Sequence, residues 1–266
     1  MLKYSLYTIL LFASMTISAQ TILQAKDSAD VYKQINEVLA PGYNVVETPD
    51  CAHTDFGDHI TQQWDEDLNK HVFVFHAHVN EDNDRCKKDD RQRTEIKTYK
   101  QSPDNLKATD GETVIYKWKF KLDKDFQVSK KFTHLHQIKA VGGSEDKMPT
   151  ITFTARKSSK EDKFIIRYAS HLEQEDLAKV ALEDFRGVWV EVEEQITYGE
   201  NGKYEVKITS LDKNKELLNY KNTSIRMWKT NADFLRPKWG IYRSLQQAQD
   251  LRDEKVLFAD FYIEEL

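Results

Sequence analysis

Proline and glycine are scarce, at five and nine among 266 residues. That leaves no room for a Pro/Gly linker or a collagen-like stretch. Basic residues do not dominate either: 39 Lys and Arg face 44 Asp and Glu, a formal net charge of -5. A general affinity for nucleic acid is therefore not expected, because phosphate binding needs a basic face. Beyond the first residues no apolar run is long enough to span a bilayer. A P-loop, a G-x-G-x-x-G fingerprint and a G-x-S-x-G elbow are all missing from the sequence. What is present is 39% hydrophobic, 31% charged and 11% aromatic. That profile is too apolar for disorder and too polar for a multi-span membrane protein.

At the N-terminus, Lys3 precedes an apolar run from Tyr4 to Met15, and the small residues Ser18 and Ala19 follow. This order is that of a secretory signal with cleavage after Ala19, leaving 20–266 as the mature domain. A single-pass anchor is the alternative. Export gives meaning to the two cysteines, Cys51 and Cys86, which in an oxidising compartment would pair with each other. A thiol nucleophile would want a positive, activating site, and nothing obvious in the sequence marks either cysteine as one.

One segment reads as helix. Val31, Ile35, Val38 and Leu39 recur at helical spacing, Asp27-Ser28 could cap it, and Pro41-Gly42 would stop it. The rest reads as strands rich in β-branched and aromatic residues: 71–79, 112–122, 131–140, 150–157, 163–169, 188–198, 204–210 and 256–263. Turn clusters such as Gly142-Gly143-Ser144 separate them. Many strands with one short helix predict an all-β fold, a single jelly-roll sandwich of two sheets in the concanavalin style. Such a sandwich offers a concave sheet face that can hold an extended polymer.

Three segments alternate polar residues as a solvent-facing strand face does. Arg91, Arg93, Glu95 and Lys97 share one face of the first, and Gln137 and Lys139 share one face of the second. Arg236, Lys238, Gly240 and Tyr242 share one face of the third. A solvated sheet face explains any one of these. Three together, in an acidic protein, suit an anionic sugar polymer. Gly240 removes a side chain beside Tyr242, where a sugar ring could approach closely.

Arg93-Thr94-Glu95-Ile96-Lys97, Gln137-Ile138-Lys139 and Lys238-Trp239-Gly240-Ile241-Tyr242 resemble, in the same order, the three signature strands of the jelly-roll polysaccharide lyases. That group includes alginate lyases, heparin lyase I and glucuronan lyases. More closely, the mature chain resembles the ulvan lyases of polysaccharide lyase family 28, through PGYNVVETPDC, DRQRTEIKTY, KFTHLHQIK and RPKWGIYRSLQ. The resemblance implies β-elimination on a uronate polymer, most closely ulvan, with endo or exo action left open.

Such chemistry must neutralise the uronate carboxylate, supply a base for the C5 proton and protonate the leaving oxygen. By resemblance Arg93 and Gln137 are the neutralisers and Tyr242 the catalytic tyrosine, its phenolate favoured by Lys238, Lys139 and Arg93. One departure stands out. Where the alginate lyase pattern has a histidine two residues after the glutamine, this chain has Lys139. That favours Tyr242 in both proton-transfer roles with Lys139 as electrostatic support. His134 and His136 point away from the groove in this register, although a bulge would return His136 as a base or substrate contact. Arg91, Glu95, Lys97, Arg236, Lys238 and Arg243 complete the expected substrate contacts, the arginines suiting sulfate.

No cofactor is required for this chemistry, although jelly-roll lyases often carry a structural calcium; Asp82 and Asp84 lie in an acidic loop without the EF-hand pattern. His76-x-His78 and His134-x-His136 have a spacing that could serve zinc but lack a third ligand from a known motif. His53, Asp55, Asp58 and His59 read as a polar loop. The expected partner is an anionic polysaccharide, sulfated in the case of ulvan, and the expected state is a monomer. A glycoside hydrolase would need paired carboxylates, for which Glu191 and Glu193 are weak candidates. A noncatalytic carbohydrate-binding module would use the same cations without needing the Tyr242, Gln137 and Arg93 set.

Overall fold

The structure is a computed structural model that describes residues 20–266. The expected signal segment, 1–19, lies outside the described residues. In chain order the strands are β1 (Gln20–Leu23), β2 (Val46–Glu47), β3 (Ile60–Asp65), β4 (Lys70–Ala77), β5 (Arg91–Lys97), β6 (Thr113–Leu122), β7 (Thr133–Val141) and β8 (Ile151–Arg156). They continue as β9 (Lys163–Tyr168), β10 (Glu175–Ala181), β11 (Trp189–Thr197), β12 (Gly202–Ser210), β13 (Lys215–Ile225), β14 (Phe234–Ser244) and β15 (Glu254–Glu265).

They form two antiparallel sheets. One runs β13-β12-β11-β6-β15-β4-β3 with β1 added on β15; the other runs β10-β9-β8-β7-β14-β5-β2. Alternation explains the sandwich. In β6, Val114, Tyr116, Trp118, Phe120 and Leu122 are buried, while the lysines between them are partly exposed. The inner faces meet in one apolar core, where Trp118 packs edge-on against Trp239 at 5.9 Å between rings. Burial of this aromatic surface is the main force closing the sheets.

The helix α1 (Val31–Leu39) forms where the periodicity places it and buries Val31, Ile35 and Leu39. Its cap is Asp30 rather than Asp27-Ser28: the Asp30 side chain accepts from the Lys33 backbone amide at 2.9 Å. Only a side chain at the residue before the first turn can reach those free amides.

Cys51 and Cys86 form the expected disulfide, with Cα atoms 6.2 Å apart. It ties the loop after β2 to the loop entering β5. A closed loop of 35 residues removes unfolded-state entropy worth about 3–4 kcal/mol. Replacing both cysteines with alanine should lower Tm by on the order of 10 °C. A thermal melt tests this, and an unchanged Tm would contradict it.

Candidate active site

β7, β14 and β5 are neighbours in the second sheet, so the three alternating segments share one surface. On β14 and β5 the register pairs Tyr242 with Arg93, Gly240 with Glu95 and Lys238 with Lys97. Side chains at these positions point away from the core, while Trp239, Ile241 and Ile96 point into it. The outward side chains line a groove of about 460 Å³ together with Glu47, Arg85, Tyr99, Phe132 and His134.

β7 departs from simple alternation. His134 pairs with Thr154 and His136 with Phe153, so Leu135 is an extra residue on β7. Leu135 turns into the core, and this bulge puts His134 on the groove face. His134 Nδ1 lies 2.8 Å from Thr154 Oγ1, and its ring is 6.0 Å from that of Tyr242. Burial pulls the His134 imidazole down to about 3, which holds it neutral.

Tyr242 sits between two arginines. Arg91 Nη1 donates to its hydroxyl at 3.0 Å, and the Arg93 guanidinium carbon lies 3.6 Å from its ring centroid. The cations beside it are thus Arg91 and Arg93, whereas Lys238 is turned to Glu47 at 2.5 Å and to Glu95. Arg91 also pairs with Asp90 at 2.7 Å.

Beneath the groove lies a layer of carboxylates. Glu95 accepts from Arg93, Gln137 and Lys238. Asp84 accepts from Arg93 Nε at 2.8 Å and from Arg85 Nε at 2.9 Å. Glu47 takes Lys97 at 2.8 Å and also pairs with Arg85. Burial would raise the Glu47 carboxyl, but Lys238, Lys97, Arg93 and Arg85 hold it well below the usual range.

Two cations are left over. Lys139 makes no hydrogen bond or salt bridge among the described residues. Arg236 leans on the Tyr99 ring at 5.5 Å, and its Nε and Nη1 are buried without a hydrogen-bond partner. Burial, with Arg236 and Arg93 near, pulls the Lys139 ammonium down to about 8. A buried arginine and a half-buried lysine without salt bridges leave positive charge that an anion from outside can meet.

The family model for polysaccharide lyases matches residues 48–261. The chain belongs to the polysaccharide lyase family. Among solved structures this lyase resembles a marine alginate lyase from Aplysia kurodai, with a TM-score of 0.58 and 11% identity over 91% of this chain and 97% of that one. It also resembles an endo-β-1,4-glucuronan lyase from the fungus Trichoderma reesei, with a TM-score of 0.54 and 13% identity over 84% and 90%. Both likenesses bear on the fold. Among curated proteins, none matches the chain.

Within the lyase, three expected substrate contacts are corrected. His136 faces the core, where Nε2 meets Glu194 Oε2 at 2.9 Å and the ring packs against Trp118. The Leu135 bulge delivers His134 to the groove instead. Arg243 also faces inward, because it follows Tyr242 by one residue on a strand; it donates to Gln92 and to the Arg252 carbonyl at 2.9 Å. Glu95 is fully buried and serves as the counter-ion that holds Arg93, Gln137 and Lys238. Gly240 answers to the protein rather than to a sugar: at φ +144°, a Cβ there would meet the Thr94 carbonyl oxygen at 2.1 Å. The sequence reading missed Glu47, left Asp84 in an acidic loop and turned His134 away from the groove. Charge complementarity hints at Glu47, on β2 beside β5, only once the register is known, and Asp84 comes from the loop before β5.

Proposed function

We propose that this lyase cleaves a 4-linked, uronate-containing anionic polysaccharide by β-elimination, with ulvan as its polymer. The observation that carries the reading is Tyr242, whose hydroxyl is held by Arg91 in a groove where Lys139 and Arg236 make no salt bridge among the described residues. In the reaction the Tyr242 oxygen takes the C5 proton, the electron pair forms the C4–C5 double bond, and the C4–O bond breaks. The same hydroxyl then returns the proton to the leaving oxygen. A donated hydrogen bond from Arg91 stabilises negative charge on the phenol oxygen while it is deprotonated. Arg93 and Gln137 reach the uronate carboxylate as charge moves onto it, with Glu95 keeping both in place.

Ulvan is favoured by the sequence resemblance and by the surplus cations, since a sulfated polymer needs partners beyond those that neutralise the uronate. The disulfide suits action outside the cell. Among the described residues no helix is long and apolar enough to cross a membrane. The test is a panel of ulvan, glucuronan, alginate and heparin, read by the ultraviolet absorbance of the unsaturated product. Activity on ulvan above the rest is the expected result. No absorbance on any polymer, with binding retained, would favour a binding module.

Lys139 sets a pH dependence. An unfolded lysine titrates near about 10.4, so between about 8 and that value the folded chain has lost a proton that the unfolded chain keeps. Stability from this group therefore rises with pH across the window, while the groove loses positive charge. KM should climb as pH passes 8, and Lys139→Arg, which stays charged, should flatten that climb. Equal profiles for the two proteins would remove Lys139 from substrate binding.

A further inference from the structure

A second polar cluster lies outside the groove, where the loop before β3 meets the loop after β4. His53 comes from the loop after Cys51, His59 from the residue before β3, His78 from the residue after β4, and Asp82 from the next loop. Their ligand-type atoms all lie within 4.8 Å of one another. Asp82 Oδ1 is 3.0 Å from His53 Nδ1 and 2.9 Å from His59 Nε2, and Asp82 Oδ2 is 3.3 Å from His78 Nδ1. The His78 Nδ1 atom is buried and makes no hydrogen bond despite that approach.

These separations suit a tetrahedral ion. With metal–nitrogen bonds of about 2.0–2.1 Å, ligand atoms at the corners lie roughly 3.3 Å apart. A ligating imidazole is commonly fixed by a carboxylate on its other nitrogen. His59 has that arrangement: its Nδ1 lies 2.7 Å from Asp50 Oδ1, and Asp50 also accepts from the Tyr32 hydroxyl at 2.9 Å. The Phe56 ring covers the cluster, 4.2 Å from the His78 ring and 4.8 Å from the His59 ring. Three imidazoles and one carboxylate are borderline ligands that select zinc over calcium, which wants an all-oxygen shell.

We propose that His53, His59, His78 and Asp82 form a structural zinc site that pins the loop between β4 and β5. Four protein ligands close the coordination sphere, so the ion stabilises rather than reacts. The site also has a route to the groove. Asp84, two residues beyond Asp82, holds Arg93 Nε at 2.8 Å. The Cys51–Cys86 disulfide joins the same two loops. Zinc binding stands independently of the polymer that the groove takes.

The test uses the mature chain without a histidine tag, stripped with a chelator and titrated with Zn²⁺, Co²⁺ or Ca²⁺ alone. The expected result is one zinc per chain by elemental analysis and a tetrahedral-type visible spectrum with Co²⁺. Zn²⁺ at about 100 times its Kd should raise the apparent stability by RT ln(1 + [L]/Kd), seen as a higher Tm. Ca²⁺ should leave Tm unchanged. Asp82→Asn tests the shared carboxylate but risks misfolding, so His53→Ala, on a half-buried loop position, is the second variant. Because losing an outer partner alone costs about 10–100-fold in affinity, losing this ligand should cost at least that. A folded chain that takes up no zinc would overturn the proposal, as would His53→Ala and Asp82→Asn binding zinc as tightly as the wild type. An equal Tm rise with Ca²⁺ would overturn it too.

Discussion

Tyr242→Phe should lower kcat by about 10²–10⁴-fold, the range a positioned proton-transfer group supplies, while leaving polymer affinity close to wild type. The ring keeps its place, since the contacts that hold it are to its faces: Arg93 on one side, and Phe132 with ring centroids 5.1 Å apart. Only the hydroxyl that Arg91 addresses is lost. Product absorbance gives turnover, and binding of the inert variant to immobilised polymer gives affinity. Activity above a few per cent of wild type would end the assignment and move attention to His134, the imidazole on the same face.

Arg93→Ala should damage both turnover and stability, and the two can be separated. Its guanidinium neutralises Asp84 and Glu95 beneath the groove and lies over Tyr242. Removing one partner of a buried ion network costs about 3–5 kcal/mol because the carboxylates stay behind. For a domain of this size that is a Tm loss on the order of 10 °C. On turnover, the loss of one group stabilising the developing charge is worth about 10²–10³-fold in kcat. Arg93→Lys keeps a charge but not the fork that serves two carboxylates, so Tm should recover more than kcat does. A variant with wild-type Tm whose defect lies in KM alone would show that Arg93 is merely part of a basic surface.

The legibility of this chain followed its burial pattern. β5 and β14 were readable because each presents one fully buried face and one polar face, so alternation put Arg93, Lys238 and Tyr242 on the face that lines the groove. β10 and β13 escaped notice because they are sheet edges, where Glu175–Ala181 and much of Lys215–Ile225 are exposed or only half-buried and no face has to be fully apolar. β7 was found, but its bulge was not, since Leu-His-Gln fits either register equally well. Which charges face each other was likewise hidden. Glu95 reads as a groove residue on alternation alone, and only the approach of Lys238 and Gln137 from two other strands makes it a counter-ion. The four residues of the proposed zinc site span 30 positions across separate loops, so no spacing rule could gather them.

The extra residue at Leu135 also bears on how such enzymes can diverge. Strict alternation outward from Gln137 would turn His134 into the core, so the bulge is what places its imidazole on the groove face, while His136 stays beside Glu194 and the outward side chains on β5 and β14 stay put. A bulge, rather than a change of residue type, is then enough to bring a candidate proton acceptor to this face. Sequence libraries aimed at retuning this enzyme would do well to vary the number of residues between Phe132 and Gln137 before varying their identity.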